Sequence, residues 1–303
     1  MISTYCIVPL YLCIKLWKNR SEDLFAWTLL ATITMVYLTY MYRVGAWAMV
    51  PTGYYWRDIV LVALIIVMIK SFFQKKRSLL PGWCNIRNLL ALLFVGFVCT
   101  TQTMGLYYSY KSAGQVPVGV ELDFPLKNGL FYIVQGGNDP LLNHHHEVNA
   151  QKYAIDIVQL NPLGLRCNTL HAEELRHYNI FGQTVYSPCN GRIIRLINGH
   201  ENFAPSVMIS DHPAGNYLAI QIDDSDRFVI LAHLLKNSFL INENDVVVKG
   251  QPLAKVGNSG NTSEPHLHMH VVETLANDLL FDEPGVPMRF NGQFLIRNHV
   301  VKR

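Results

Sequence analysis

Two long runs without a charged side chain constrain the fold of this chain most strongly. Residues 24–42 form a run of nineteen and residues 88–110 form a run of twenty-three. An α-helix needs about 20 predominantly apolar residues to cross roughly 30 Å of hydrocarbon. Both runs therefore predict transmembrane helices. The 50% share of hydrophobic residues also argues against an ordinary soluble protein.

Two shorter apolar runs extend this membrane domain. Residues 59–69 are uncharged, with Trp56 and Arg57 before them and Lys70, Phe72 and Phe73 after them. The long side chains of Arg57 and Lys70 can reach the membrane surface, so this short run can still span the membrane. Residues 1–14 are apolar but lack the basic start and small-residue cleavage site of a signal peptide. We therefore expect three to four transmembrane helices within residues 1–110, and leave open whether the first segment spans.

Basic residues indicate the orientation of these helices. Residues 1–110 contain ten lysines and arginines, three acidic residues and no histidine. Two loops that flank the predicted spans contain Lys15, Lys18, Arg20, Lys75, Lys76, Arg77 and Arg87. Because cytoplasmic loops are rich in Lys and Arg, the chain after Lys111 should lie on the opposite face of the lipid bilayer. The basic residues flank apolar runs and do not cover a polar domain, so nucleic acid is not an expected partner.

The chain changes character after Tyr110, where all twelve histidines occur. Short runs that favour strands lie between Gly, Pro, Asn and Asp residues, at 129–135, 153–160, 191–196, 207–210, 217–222, 228–234 and 266–272. Many short strands predict a compact antiparallel fold, with one helical stretch expected near residues 171–177. The predicted fold class is mixed, with N-terminal transmembrane α-helices in residues 1–110 and a mainly antiparallel β-sheet domain in residues 111–303.

The strongest local signal is the sequence PHLHMHV at residues 265–271. Side chains alternate between the two faces of a strand, so His266, His268 and His270 should share one face and the apolar residues between them the other. Neutral imidazoles on alternate strand positions can bind zinc in one cleft. A histidine-rich surface strand accounts for the motif equally well when it is taken alone.

Asp156 is the one carboxylate in the apolar run YAIDIV at residues 153–158. An unpaired charge there would be costly unless a cation such as a metal ion compensates it. Hydrogen bonds from backbone amides or from a nearby arginine are the alternative. Other histidines near apolar runs are His233, at the end of run 228–234, and the loop residues His144, His145 and His146.

Taken in chain order, these motifs resemble the lysostaphin/LytM-type zinc endopeptidases, the Gly-Gly endopeptidase family of cell-wall hydrolases. The resemblance covers roughly residues 124–272. Its most specific part is a glycine turn and a His-x-His strand, VVVKGQPLAKVGNSG at 246–260 followed by EPHLH at 264–268. Two further matches are AHL at 232–234 and VYSPCNG at 185–191.

In that family one Asp and two His hold zinc, and two further His assist catalysis. The resemblance implies that His145, Asp156 and His268 are the zinc ligands. It implies that His233 and His266 are the assisting pair. Three protein ligands leave the fourth zinc position for the water that attacks the peptide bond.

The first ligand departs from the usual family spacing. The family places a histidine four residues before the Asp, whereas this chain has Lys152 there, and an ammonium group cannot bind zinc. The first ligand must therefore come from the preceding loop. Some members of the family have Asn-x-His, a longer loop and then Gln-x-Tyr-Ala-x-Asp, which this chain matches at 143–145 and 151–156. This resemblance implies His145, with His144 and His146 as alternatives.

The resemblance also implies a substrate and a location. It indicates a zinc metalloendopeptidase that hydrolyses peptide bonds in the stems or cross-bridges of peptidoglycan. Such a chain would be a multi-pass protein of the bacterial cytoplasmic membrane, with its C-terminal domain on the periplasmic or extracellular face. A non-catalytic protein that binds cell wall or a partner on the same fold is the alternative.

Cys167 and Cys189 are the two cysteines of residues 111–303. On an oxidising face they would form either a disulfide or two free thiols. The motifs specify neither the bond that is cleaved nor a protein activator nor an oligomeric state.

Overall fold

The computed structural model describes residues 2–19, 23–74, 86–114, 118–169, 172–274 and 283–303. These residues form two compact units, Met1–Tyr110 and Lys111–Arg303. Some residues used in the sequence predictions lie outside the described ranges, namely Arg20, Lys75, Lys76, Arg77 and His171.

Helices make up the first unit. They are α1 (Val8–Trp17), preceded by a π-turn at Ser3–Ile7, then α2 (Leu24–Val44), α3 (Trp56–Phe73) and α4 (Ile86–Gly114). Among the described residues, two helical segments are long and apolar enough to cross a membrane, Leu24–Val44 and Asn88–Lys111. The helix at Ser3–Trp17 is apolar but shorter.

Hydrogen bonds gather four helix ends at one end of this unit. The backbone N–H of Ala46, just after α2, donates to the Tyr5 hydroxyl at 2.9 Å. Trp56 Nε1, at the start of α3, donates to the Tyr5 carbonyl at 3.2 Å. Arg43 Nη2, near the end of α2, donates to the Ser109 carbonyl on α4 at 3.2 Å. The first and third helical segments therefore run opposite to α2 and α4.

Strands dominate the second unit. They are β1 (Val120–Leu122), β2 (Leu130–Gln135), β3 (Ile155–Leu160), β4 (Thr184–Tyr186), β5 (Gly191–Ile197), β6 (Tyr217–Ile222), β7 (Phe228–Ala232), β8 (Val246–Val247), β9 (Pro252–Lys255), β10 (Leu267–Val272), β11 (Met288–Phe290) and β12 (Val300–Lys302). Eight of them form one antiparallel sheet in the order β12, β2, β3, β10, β7, β6, β5, β8. Strands β4 and β9 form a second antiparallel pair, and β1 and β11 pair in parallel. The mainly antiparallel sheet predicted from the sequence is confirmed.

Strand β10 shows why this sheet can hold both a core and a site. Leu267, Met269 and Val271 are at most 1% exposed and belong to the main hydrophobic core. His268 and His270 occupy the alternate positions and line a cleft on the other face. The predicted division of this strand into an apolar face and a histidine face is confirmed.

Two local predictions are wrong. Residues 207–210 are not a strand but lie in the loop between β5 and β6. The helical stretch expected near 171–177 is, among the described residues, a single 3-10 turn at Leu175–His177. The run 207–210 has strand propensity, but propensity alone does not form a strand without a neighbouring strand to pair with.

The disulfide alternative is also wrong for this structure, because Cys167 and Cys189 are both free. The Cys189 side chain packs in the main hydrophobic core, and burial, with a smaller effect of Asp223, raises the pKa of its thiol to about 12. The Cys167 thiol instead donates to the Thr169 carbonyl at 3.2 Å. The two sulfurs therefore lie in different environments.

A buried ion pair ties the segment after β3 to the loop before β10. Arg166 Nε lies 2.7 Å from Glu264 Oε1, and the two side chains are 15% and 10% exposed. Removing one partner of a buried pair leaves an uncompensated charge, which costs about 3–5 kcal/mol. We expect Arg166→Met to lower the free energy of unfolding by this amount, and Arg166→Met with Glu264→Gln to recover part of it.

Denaturant unfolding of the full chain in detergent measures these changes. The matched control is Arg176→Met, because Arg176 pairs with Glu174 on the surface, where the side chains are 74% and 55% exposed. Exposed pairs contribute about 0–1 kcal/mol. Equal losses in Arg166→Met and Arg176→Met would contradict the prediction.

Candidate metal centre

The pairing of two central strands brings Asp156 and His268 together. Strands β3 and β10 are antiparallel neighbours, and their register places Asp156 directly opposite His268. Asp156 Oδ1 lies 2.9 Å from His268 Nδ1. The two side chains project from the sheet face opposite Ile155, Ile157 and the other core residues of β3 and β10.

A buried asparagine holds the loop that supplies His145. The amide group of Asn143 donates to the carbonyls of Gly137, Lys152 and Ala154 at 3.1, 3.2 and 3.1 Å. Its Oδ1 accepts from the backbone N–H of His145 at 3.2 Å and so caps the 3-10 turn His144–Glu147. His145 Nε2 then lies 2.9 Å from Asp156 Oδ2. Asp156 Oδ2 therefore contacts His145, and Asp156 Oδ1 contacts His268.

His233 and His266 form the opposite side of the site, with ring centroids 4.7 Å apart. His233 Nδ1 donates to the Ser259 carbonyl at 2.8 Å, and His266 Nδ1 donates to the Glu264 carbonyl at 2.9 Å. A neutral imidazole has one N–H, so both rings keep a lone pair on Nε2. His266 Nε2 lies 3.6 Å from Asp156 Oδ1.

His233 also has an unusual backbone conformation. Its φ is +62°, in the left-handed region that few residues other than glycine adopt. Such a conformation persists where the surrounding structure enforces it, and it often occurs at functional sites. Here the hydrogen bond from its ring to Ser259 and the adjoining strand β7 hold the residue in place.

The structure thus gathers all five residues selected from the sequence. Ligand atoms within 4.8 Å of one another occur in two adjacent clusters, His233/His266/His268 and His144/His145/Asp156. His144 stays an alternative to His145 because it belongs to the second cluster. His146 belongs to neither cluster among the described residues.

Burial and charge set the protonation of these groups. Burial, partly opposed by Asp156, lowers the pKa of His268 to about 4, and burial also holds the pKa of His233 well below its ordinary value. Burial would raise the pKa of Asp156, but the neighbouring His145 and His266 and the hydrogen bonds hold it well below its usual range. His268 and His233 are therefore neutral, and Asp156 is ionised.

This set of donors fits a zinc ion. Zinc bonds to His and Asp are about 2.0–2.2 Å long, so neighbouring ligand atoms on a tetrahedral ion lie about 3.3 Å apart. His145 Nε2 and His268 Nδ1 each lie 2.9 Å from an oxygen of Asp156, close to that spacing. The cleft beside them has a volume of about 200 Å³ and is lined by His144, His145, Gln151, Pro213, Ala214, Ile230, Ala232, His233, Asn261, His268 and His270.

The lowered histidine pKa values predict a pH-dependent stability of the metal-free protein. Between the ordinary pKa of 6.5 and about 4, His268 binds protons in the unfolded chain but not in the folded one. The free energy of unfolding should therefore fall as the pH is lowered through this window. His233 acts in the same direction, whereas His145, whose pKa is raised by Asp156 against the effect of burial, opposes them.

Thermal unfolding of the full chain with a chelator, at pH 7 and at pH 5, measures this effect. The control is His268→Asn, which cannot titrate and should show a smaller loss between the two pH values. An unfolding temperature that is equal or higher at pH 5 would contradict the prediction.

Comparison with known protein families gives one match, between residues 178–278 and the family described as Peptidase family M23. The matched range includes His233, His266 and His268, whereas His145 and Asp156 precede it. The family resemblance read from the sequence motifs is thereby confirmed. No curated protein matches the chain.

Several solved structures are similar to part of the chain. A zinc-containing peptidase from Vibrio cholerae is 21% identical, with a TM-score of 0.32, over 50% of this chain and 37% of that one. The catalytic domain of lysostaphin from Staphylococcus simulans is 18% identical, with a TM-score of 0.29, over 44% of this chain and 74% of that one. A putative peptidase M23 from Pseudomonas aeruginosa is 14% identical, with a TM-score of 0.30, over 60% and 61% of the two chains.

Proposed function

Because this chain carries a domain of peptidase family M23, we propose that it is a membrane-anchored zinc metalloendopeptidase that hydrolyses peptide bonds in peptidoglycan stems or cross-bridges. The observation that carries the proposal is the buried Asp156 carboxylate held between His145 and His268. Two further imidazoles lie nearby: His233 lines the cleft, and His266 Nε2 lies 3.6 Å from Asp156 Oδ1. This arrangement combines an open three-ligand metal site with two proton acceptors.

His145, Asp156 and His268 would hold the zinc ion, which would polarise the scissile carbonyl and acidify an attacking water. His266 is the proton acceptor, because its Nδ1 is bonded to the Glu264 carbonyl and its Nε2 carries a lone pair beside Asp156, at 3.6 Å from Oδ1. Once protonated, the His266 ring can donate to the leaving amine.

His233 has the same tautomer, with Nδ1–H bonded to the Ser259 carbonyl. Its free Nε2 can orient the attacking water by accepting a hydrogen bond from it. It can stabilise the oxyanion only after it has itself received a proton, because a neutral Nε2 has no hydrogen to donate.

Zinc content tests the ligand assignment. The single zinc ion should be lost in each of the variants His145→Ala, Asp156→Ala and His268→Ala. Each variant leaves only two protein ligands in a site that has three. Metal analysis of the full chain in detergent measures the loss. The loop variants His144→Ala and His146→Ala and the exposed control His212→Ala should keep their zinc; a loss in His144→Ala would move the assignment to His144.

Hydrolysis of purified peptidoglycan tests the two assisting histidines. His233→Ala and His266→Ala should retain zinc and lose turnover by about 10²–10⁴-fold, the contribution of a positioned acid–base group. Product masses after digestion, with and without chelator, measure the reaction. Near-normal turnover in either variant removes the role given to that residue. Failure of the zinc-loaded wild-type chain to cleave any wall preparation would favour the alternative, a binding protein on the same fold.

Residues 1–110 form the anchor in this proposal, and residues 111–303 form the catalytic domain outside the cytoplasm. The support is the position of Lys15, Lys18 and the basic loop before α4 on the predicted cytoplasmic side. In the first unit α4 runs opposite to α1 and α3, so α4 would lead the chain away from the side of Lys15 and Lys18. The location is then the cytoplasmic membrane of a bacterium, with the catalytic domain on the periplasmic or extracellular face.

A reporter that is active only outside the cytoplasm, fused after Arg303, tests this topology. The fusion should be active, because an odd number of crossings separates the last basic loop from the carboxy terminus. A fusion after Lys18 is the control and should be inactive. An inactive Arg303 fusion that is stably inserted in the membrane would reverse the topology and separate the domain from peptidoglycan.

A further inference from the structure

We propose that His270 is a positioning residue for the zinc ligand His268. This inference rests on the proposed zinc-dependent function. Sequence periodicity places His270 on the histidine face of β10, but neither the proposed ligand set nor the assisting pair uses it. His270 is 2% exposed and lies in the middle of the sheet. Burying its ring nitrogens there would destabilise the fold unless they form hydrogen bonds.

The geometry joins His270 to His268 through one specific nitrogen pair. His270 Nδ1 lies 3.0 Å from His268 Nε2, and the ring centroids are 5.1 Å apart. His268 is 3% exposed, so no bulk water competes for this contact. Strand β7 fixes the position of His270 from the other side, because His270 pairs in register with Ile230.

The tautomer of His268 determines which ring nitrogen donates the hydrogen in this contact. Without a metal ion, neutral His268 donates its Nδ1–H to Asp156 Oδ1 at 2.9 Å. Zinc bound by both residues would require the Nδ1 lone pair instead. A neutral imidazole has one N–H, and in His268 that N–H is then on Nε2, pointing at His270. His270 must accept this hydrogen through Nδ1. A ligand histidine whose second nitrogen donates to a neighbour is held in orientation and is a more basic ligand.

Three substitutions separate positioning from simple filling of space. His270→Asn keeps an acceptor, because Asn Oδ1 is the same number of bonds from the backbone as His Nδ1. His270→Phe keeps an aromatic ring but offers no acceptor to His268. His270→Gln keeps polarity but moves its oxygen one bond further from the backbone.

The experiment measures zinc affinity of the full chain in detergent by competition with a chromophoric chelator. His270→Phe should bind zinc roughly 10–100-fold more weakly, the usual effect of losing such a partner, and His270→Asn should bind at the wild-type level. The absorption spectrum of the Co²⁺-substituted protein should change in His270→Phe and not in His270→Asn. Wild-type affinity and spectrum in a folded His270→Phe would overturn the inference.

Two further results keep the outcomes distinct. Thermal unfolding in excess chelator shows whether a variant is folded without metal. If His270→Phe is unfolded, the zinc affinities of His270→Asn and His270→Gln are compared instead. Equal zinc affinity in these two variants overturns the inference. If the wild-type chain binds no zinc, the proposed function fails. If the wild-type chain binds zinc and folded His270→Phe binds it equally well, the proposed function stands and the positioning role of His270 fails.

Discussion

A buried carboxylate is the constraint on which the rest of the second unit depends. Asp156 is 6% exposed and sits in an apolar strand at the centre of the sheet. An ionised group there costs several kcal/mol unless charges and hydrogen bonds compensate it. In this protein the compensation comes from three imidazoles: His145 in the loop before β3, His266 just before β10, and His268 on β10.

Each supporting feature places one of those histidines. The register of β3 against β10 sets His268 opposite the carboxylate, and Asn143 fixes the loop that delivers His145. The Arg166–Glu264 pair holds the loop before β10, whose Glu264 carbonyl orients the His266 ring. Stability and chemistry are therefore coupled, because the groups that compensate the buried charge are also the donors suited to a metal ion.

Sequence periodicity anticipated the parts of this arrangement that depend on local alternation. The two faces of β10 followed directly from the spacing of its histidines, and the isolated carboxylate of Asp156 indicated a compensating partner. The short strands β4 and β9 were missed, because each is stabilised by pairing with the other across the chain. The absence of a bond between Cys167 and Cys189 depends on packing that spacing alone does not show. The contact between His268 and His270 likewise depends on a distance between ring nitrogens.

Diffraction data collected above and below the zinc absorption edge, from crystals of the zinc-loaded full chain, would locate the ion among these histidines. We expect one anomalous peak about 2.0–2.2 Å from His145 Nε2, a carboxylate oxygen of Asp156 and His268 Nδ1. His233 and His266 should lie outside bonding distance of that peak. A peak bonded to His233 and His266 instead, or no peak in zinc-loaded crystals, would contradict this ligand assignment.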